Sequence, residues 1–169
     1  MNTNDLNRRL RYALSLDDKS VQELLGLGNY AADITQISAW RKQPEDDNFE
    51  ECPGQAIDAL LEGLIVKNRG PSPTAAVTAA ESEGASLANR EAESRRFPEI
   101  DNNTLLKQLK IALSLRTDEV QQLIHEGGGK LGKSEVNALF RRPSARNFRR
   151  CGDQVLRWFL AGLAARRAT

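Results

Sequence analysis

Leu10-Arg11-Tyr12-Ala13-Leu14-Ser15-Leu16 returns as Leu109-Lys110-Ile111-Ala112-Leu113-Ser114-Leu115, and this return decides the fold. The offset is 99 residues and holds without a gap. Val21-Gln22 becomes Val120-Gln121, Pro44 becomes Pro143, Asn48-Phe49 becomes Asn147-Phe148, Cys52 becomes Cys151, Gln55 becomes Gln154 and Gly63-Leu64 becomes Gly162-Leu163. One register kept from Asn4 to Val66 marks a duplicated module, and a residue present in both copies is expected to serve the fold rather than a single active site.

Each copy reads as four helices. The first, opening on an Asn cap at Asn4 or Asn103, carries Leu6, Leu10, Ala13 and Leu14, matched by Leu105, Leu109, Ala112 and Leu113, at the spacing of one helical face. A short second helix carries Val21, Leu24 and Leu25, or Val120, Leu123 and Ile124, with Thr117 as the expected start in the second copy. A third holds Ile37 and Trp40, or Val136, Leu139 and Phe140, stopped by Pro44 or Pro143. The longest carries Ile57, Leu60, Leu61 and Leu64, or Leu156, Phe159, Leu160 and Leu163, and Pro53 precedes it where a missing N–H costs nothing. No alternating run of useful length suggests a strand. The expected class is therefore all-α: two four-helix modules related by a pseudo-two-fold axis and joined by a flexible linker.

The linker is expected over residues 70–101, between modules at 1–69 and 102–169. Gly70-Pro71-Ser72-Pro73 opens a stretch rich in Ala, Ser, Glu and Pro that lacks the large apolar residues needed to offset ordering entropy. A module of this size alone buries only about 60% of its unfolded surface, so the copies are expected to pack on each other. Cys52 and Cys151, at equivalent positions, read as small core residues rather than a disulfide framework. With no secretory signal and no long apolar run, the expectation is a cytoplasmic protein that does not enter a membrane.

The net charge of +1 conceals an uneven distribution: residues 1–69 carry 8 Lys/Arg against 12 Asp/Glu, residues 70–101 carry 3 against 6, and residues 102–169 carry 13 against 5. The first module is acidic and the second basic. Two readings follow, an anionic partner for the second module or attraction between the halves.

The run from Asn147 to Leu163 (Asn-Phe-Arg-Arg-Cys-Gly-Asp-Gln-Val-Leu-Arg-Trp-Phe-Leu-Ala-Gly-Leu), with Asn102-Asn103 and the segment Ile111–Leu115, resembles the bacterial YehS-like family, the domain of unknown function 1456. The resemblance covers both modules and implies a tandem of similar helical domains. It brings no activity and no catalytic residues. The first copy departs from it at Gly54, where the second has Asp153.

Gly127-Gly128-Gly129-Lys130-Leu131-Gly132-Lys133-Ser134 satisfies the phosphate-loop pattern letter for letter. That pattern works only between a strand and a helix, where the loop amides face the phosphates. A helix is expected before it here, so nucleotide hydrolysis is not. His125 is the sole histidine and lacks the company a metal site requires. A helix-turn-helix, with Ser134, Asn137 and Arg141 on the reading helix, is weakened by connections over about 26–33 and 125–132 that exceed the usual 3–4-residue turn.

The most suggestive patch is Arg141-Arg142-Pro143-Ser144-Ala145-Arg146-Asn147-Phe148-Arg149-Arg150, preceded by Lys130 and Lys133. Guanidinium forks match phosphate oxygens and release condensed counterions. Its counterpart at 41–51 is acidic, so the patch reads either as a surface for nucleic acid or an acidic protein, or as a seam against Glu45, Asp46, Asp47, Glu50 and Glu51. The expected function is a non-enzymatic binding or adaptor protein of regulatory character whose second module contacts an anionic partner such as RNA or DNA. The alternative is a protein–protein interaction module in which charge pairs the halves or two chains of a homo-oligomer. Neither reading calls for a metal or a cofactor, and no assembled nucleophile, base and orienter is visible.

Overall fold

A computed structural model describes residues 1–70 and 101–168, in which every regular element is a helix. The first module contains α1 (Thr3–Leu14), α2 (Asp18–Leu27), α3 (Ile34–Ala39) and α4 (Gly54–Arg69). The second contains α5 (Asn102–Ala112), α6 (Thr117–Glu126), α7 (Lys133–Leu139) and α8 (Asp153–Ala168). Apart from the ends of α5 and α7, these bounds repeat at the same offset of 99, α2 on α6 and α4 on α8 residue for residue. The expected linker lies, but for Gly70 and Asp101, outside the described residues.

The caps differ from the sequence reading for a physical reason. Asn2 and Asp101 cap the first helices, accepting from the amides of Asp5 at 2.7 Å and Thr104 at 2.8 Å. Asn4 and Asn103 therefore lie one residue inside each helix, where their side chains face the module instead of the helix end. Thr117 does start α6, but Arg116 holds the cap position, and its amide donates to the Glu119 carboxylate at 2.7 Å. The first copy does the reverse, with Asp17 accepting from the Ser20 amide at 2.8 Å. The same exchange recurs one helix on: Asp33 accepts from Gln36, whereas the Gly132 amide donates to Glu135. In each pair a carboxylate sits against the free amides of a first turn, supplied from opposite ends of that turn.

The third helices end earlier than expected, at Ala39 and Leu139. Pro44 and Pro143 follow in the turns beyond, and Arg141 lies past the end of α7 instead of on a reading helix. The loop between α6 and α7 spans residues 127–132.

α2 packs along α4 and also against α3, as α6 does with α8 and α7. The first helix of each module touches its own fourth helix only slightly. Its main partner is the fourth helix of the other module: α1 lies on α8, and α5 on α4. This reciprocal exchange is what a pseudo-two-fold axis requires. The apolar stripes consequently merge into one buried cluster drawn from both copies, including Leu10, Leu61, Leu109 and Phe159, each fully buried. Leu113 of the expected stripe is only partly buried, while Leu106, unremarked in the sequence, is fully so. Polar contacts trim this interface. Gln108 donates to Asp58 at 2.9 Å, Asn68 donates to the Ala112 carbonyl at 2.8 Å, and the amine of Met1 pairs with Asp153.

Candidate functional site

A groove of about 430 Å³ opens on the second module between the start of α5 and the loop that follows α7. Asn103 builds it. Its amide donates to the carbonyls of Leu139 and Arg149, each at 2.9 Å, and its oxygen accepts the Cys151 amide at 2.9 Å. Both ends of the loop 139–151 are thus clamped to α5. Within the loop, the amides of Ala145 and Phe148 close turns onto Arg142 and Ala145, and the Arg149 amide returns to the Ala138 carbonyl at 3.1 Å.

Lys107 on one wall and Arg141, Arg142 and Arg150 on the other bring four cations to this groove. All four are exposed, and among the described residues none has a carboxylate partner. The one acidic lining residue, Asp101, is committed to the cap, accepting from both the amide and the hydroxyl of Thr104. Phe140 and Phe148, each half-buried, add aromatic surface. The Lys110 ammonium lies 4.5 Å from the centre of the Phe140 ring, a cation–π contact.

Of the seven cations singled out in the sequence, the groove therefore gathers Arg141, Arg142 and Arg150. Arg149 turns to Glu135 instead, and its guanidinium together with the Gly132 amide holds the Glu135 carboxyl below its usual range, the amide being the larger cause. Lys133 pairs with Asp118 at 3.0 Å on an exposed surface. Lys130 and Arg146 are exposed and do not line the groove. Lys107 escapes a reading of the sequence because it stands apart from the arginine run. Its only signal is its position one helical turn past Asn103.

The first module has a different character. A cavity of about 690 Å³ there, beside the position equivalent to the groove, is lined by Arg8, Arg11 and Arg41, and Asp18 pairs with both Arg11 and Arg41, the latter at 3.4 Å. The second copy has Thr117 where Asp18 stands, and Phe140 where Arg41 stands. The first copy also places Gln43 and Glu51 at the positions of Arg142 and Arg150. Asp18 thus pairs with Arg11 and Arg41 there, while Arg8 bonds the Lys42 carbonyl at 3.3 Å; among the described residues the groove cations of the second copy have no carboxylate partner.

The expected electrostatic seam is not formed: among the described residues no ion pair joins 141–150 to 45–51. Each loop is tied to the first helix of its own module, Asn4 doing in the first what Asn103 does in the second. The modules meet through α1 with α8 and α4 with α5, away from that charge.

The phosphate-loop letters are explained by packing. Helix α6 precedes the loop, where the pattern needs a strand. A Cβ on Gly127 would stand 1.8 Å from the Trp158 carbonyl oxygen, and its counterpart Gly28 meets the equivalent carbonyl of Ala59 at 2.0 Å. Gly128 has φ +98 and replaces Asn29, also left-handed at φ 60. A Cβ on Gly129 would lie 2.6 Å from the Trp158 ring, whereas the first copy has Tyr30 there and only Ala59 at the tryptophan position. The Leu131 carbonyl is then held by Gln121 and lies 3.0 Å from His125 Nε2. This places the sole histidine on a loop anchor.

Burial pushes the thiols of Cys52 and Cys151 up to about 12, so neither supplies thiolate near neutrality. Among the described residues no group of three or more His, Cys, Asp and Glu is placed to hold a metal, and no helix is long and apolar enough to cross a membrane.

The duplication and the groove can be set beside known proteins. A family model, "Protein of unknown function (DUF1456)", matches twice, over residues 3–70 and 102–167, which are the two helical modules. The chain is 37% identical over 166 residues to "Uncharacterized protein YehS" of Escherichia coli (strain K12), covering 98% of this chain and 96% of that protein. No solved structure matches. With both modules matched and the likeness running through nearly the whole chain, this protein belongs to the DUF1456 family.

Proposed function

We propose that this is a non-enzymatic binding protein of the cytoplasm whose second module contacts the phosphates of RNA or DNA in a regulatory or adaptor role. The observation that carries the reading is the set of four exposed cations, Lys107, Arg141, Arg142 and Arg150, around one groove, without carboxylate partners among the described residues. Charges left unneutralised in this way repel each other unless an anion joins them, and Arg is suited to phosphate by its planar fork. The contrast with the first module supports the same reading, since Gln43 and Glu51 stand there in place of Arg142 and Arg150. A duplicated fold that keeps its core and diverges in one face has specialised that face.

The test is fluorescence anisotropy with a labelled oligonucleotide over a series of salt concentrations. Wild-type affinity should fall steeply with salt. Exchanging Lys107, Arg141, Arg142 and Arg150 for Gln should reduce the log–log slope by roughly one unit for each phosphate that is no longer neutralised. Arg149→Gln, which removes a cation already paired with Glu135, should change it little. No binding at the lowest salt would overturn the proposal and favour a protein–protein interaction module.

A further inference from the structure

We infer that the groove takes a single strand of nucleic acid, with one base laid on the Phe148 ring while the neighbouring phosphates meet the surrounding cations. This rests on the reading above and narrows it from nucleic acid in general to an unpaired strand. Sites that bind single strands combine a cationic track with aromatic surface, because an unpaired base has a free face to stack and a paired one does not. Here both kinds of group line one concavity: Phe140 and Phe148 stand among Lys107, Arg141, Arg142 and Arg150.

Size and ring environment narrow the assignment. A volume of about 430 Å³ lies toward the small end of the roughly 300–1,000 Å³ range of small-molecule sites. That suits one base with its sugar and phosphate, while a duplex would rest across the rim and leave the rings untouched. Phe140 already has the Lys110 ammonium 4.5 Å from its ring centre, so the ring assigned to the base is Phe148. Its counterpart Phe49 occupies the same loop position beside Glu50 and Glu51, where a phosphate would be repelled. The two phenylalanines thus share a structural position and differ in the charge around them, which makes Phe49 a built-in control.

The experiment compares labelled oligo(U) and oligo(dT) 12-mers with a 12-base-pair duplex and with inorganic polyphosphate, using the full chain. Both single strands should bind at least tenfold more tightly than the duplex. Phe148→Leu should weaken single-strand binding by about tenfold, within the roughly 1–3 kcal/mol that stacking one base contributes, and leave polyphosphate binding and the salt slope unchanged. Phe148→Tyr should restore it. Phe49→Leu, which tests the same structural position for a folding effect, should leave affinity as in the wild type. Equal affinity for duplex and single strand, or a Phe148→Leu loss that extends equally to polyphosphate, would overturn the inference and leave the phosphate-binding reading standing. Failure of every nucleic acid to bind would remove both.

Discussion

The side-chain oxygen of Asn4 accepts the backbone amide of Cys52 at 3.0 Å, and the same bond recurs at 2.9 Å between Asn103 and Cys151. The Asn4 amide donates in addition to the carbonyls of Trp40, at 3.0 Å, and Glu50, at 2.9 Å. One side chain therefore satisfies three backbone groups of a loop that makes no helical ladder of its own. In the second module that loop is the groove wall, so the residue that holds the fold also positions the candidate site.

Asn4→Ala should destabilise the chain by about 2–4 kcal/mol, since an unsatisfied buried donor or acceptor costs roughly 1–3 kcal/mol and three groups lose their partner. Asn103 is less buried, so water can replace part of its bonding, and Asn103→Ala should cost roughly half as much. Urea unfolding followed by circular dichroism reads both values. An Asn103→Ala cost larger than that of Asn4→Ala would contradict the burial argument.

Two helix crossings are set by glycine. A Cβ on Gly63 would stand 1.8 Å from the Leu24 carbonyl oxygen, and one on Gly162 would stand 1.8 Å from that of Leu123. Each clash is with backbone, so helices must separate to relieve it. Gly63→Ala and Gly162→Ala should each cost about 3 kcal/mol, at the upper end of ordinary overpacking. Gly54, the first residue of α4, has nothing within 4 Å of the same position, and alanine there should be neutral or stabilise by up to ~1 kcal/mol. Thermal melts of the three variants should set Gly54→Ala apart from the other two.

The cysteines carry a pH dependence whose sign follows from burial. Their folded-state values near 12 lie above the ordinary value of about 8.5, so folding favours the neutral thiol. That contribution is fully present below about pH 8.5 and is lost as pH rises toward 12. At pH 8, Ellman's reagent should label the folded protein at least a hundredfold more slowly than the unfolded chain. Cys52→Ala and Cys151→Ala should each lessen the fall in stability between pH 8 and pH 10, measured from urea midpoints. Rapid labelling of the native protein would show that the thiols are not buried as described.

The sequence by itself determined that the chain is a duplicated all-helical protein and which apolar stripes form its core. Periodicity of 3.6 and an ungapped repeat are local, additive signals that survive without knowing what packs on what. It also marked Arg141, Arg142 and Arg150, because charge clustering is visible along the chain. Only the tertiary structure decided that Asn4 and Asn103 clamp loops instead of capping helices, since a side chain one residue inside the first turn points to partners far along the chain. Only it showed that the phosphate-loop glycines make room for Trp158, a residue well downstream. The same holds for the groove. Lys107 joins the arginines only once α5 is clamped to the loop, and Asp18 shows its neutralising role only when Arg11 and Arg41 are brought to it. Charge pairing depends on distance in space, and distance in space is what a linear pattern does not encode.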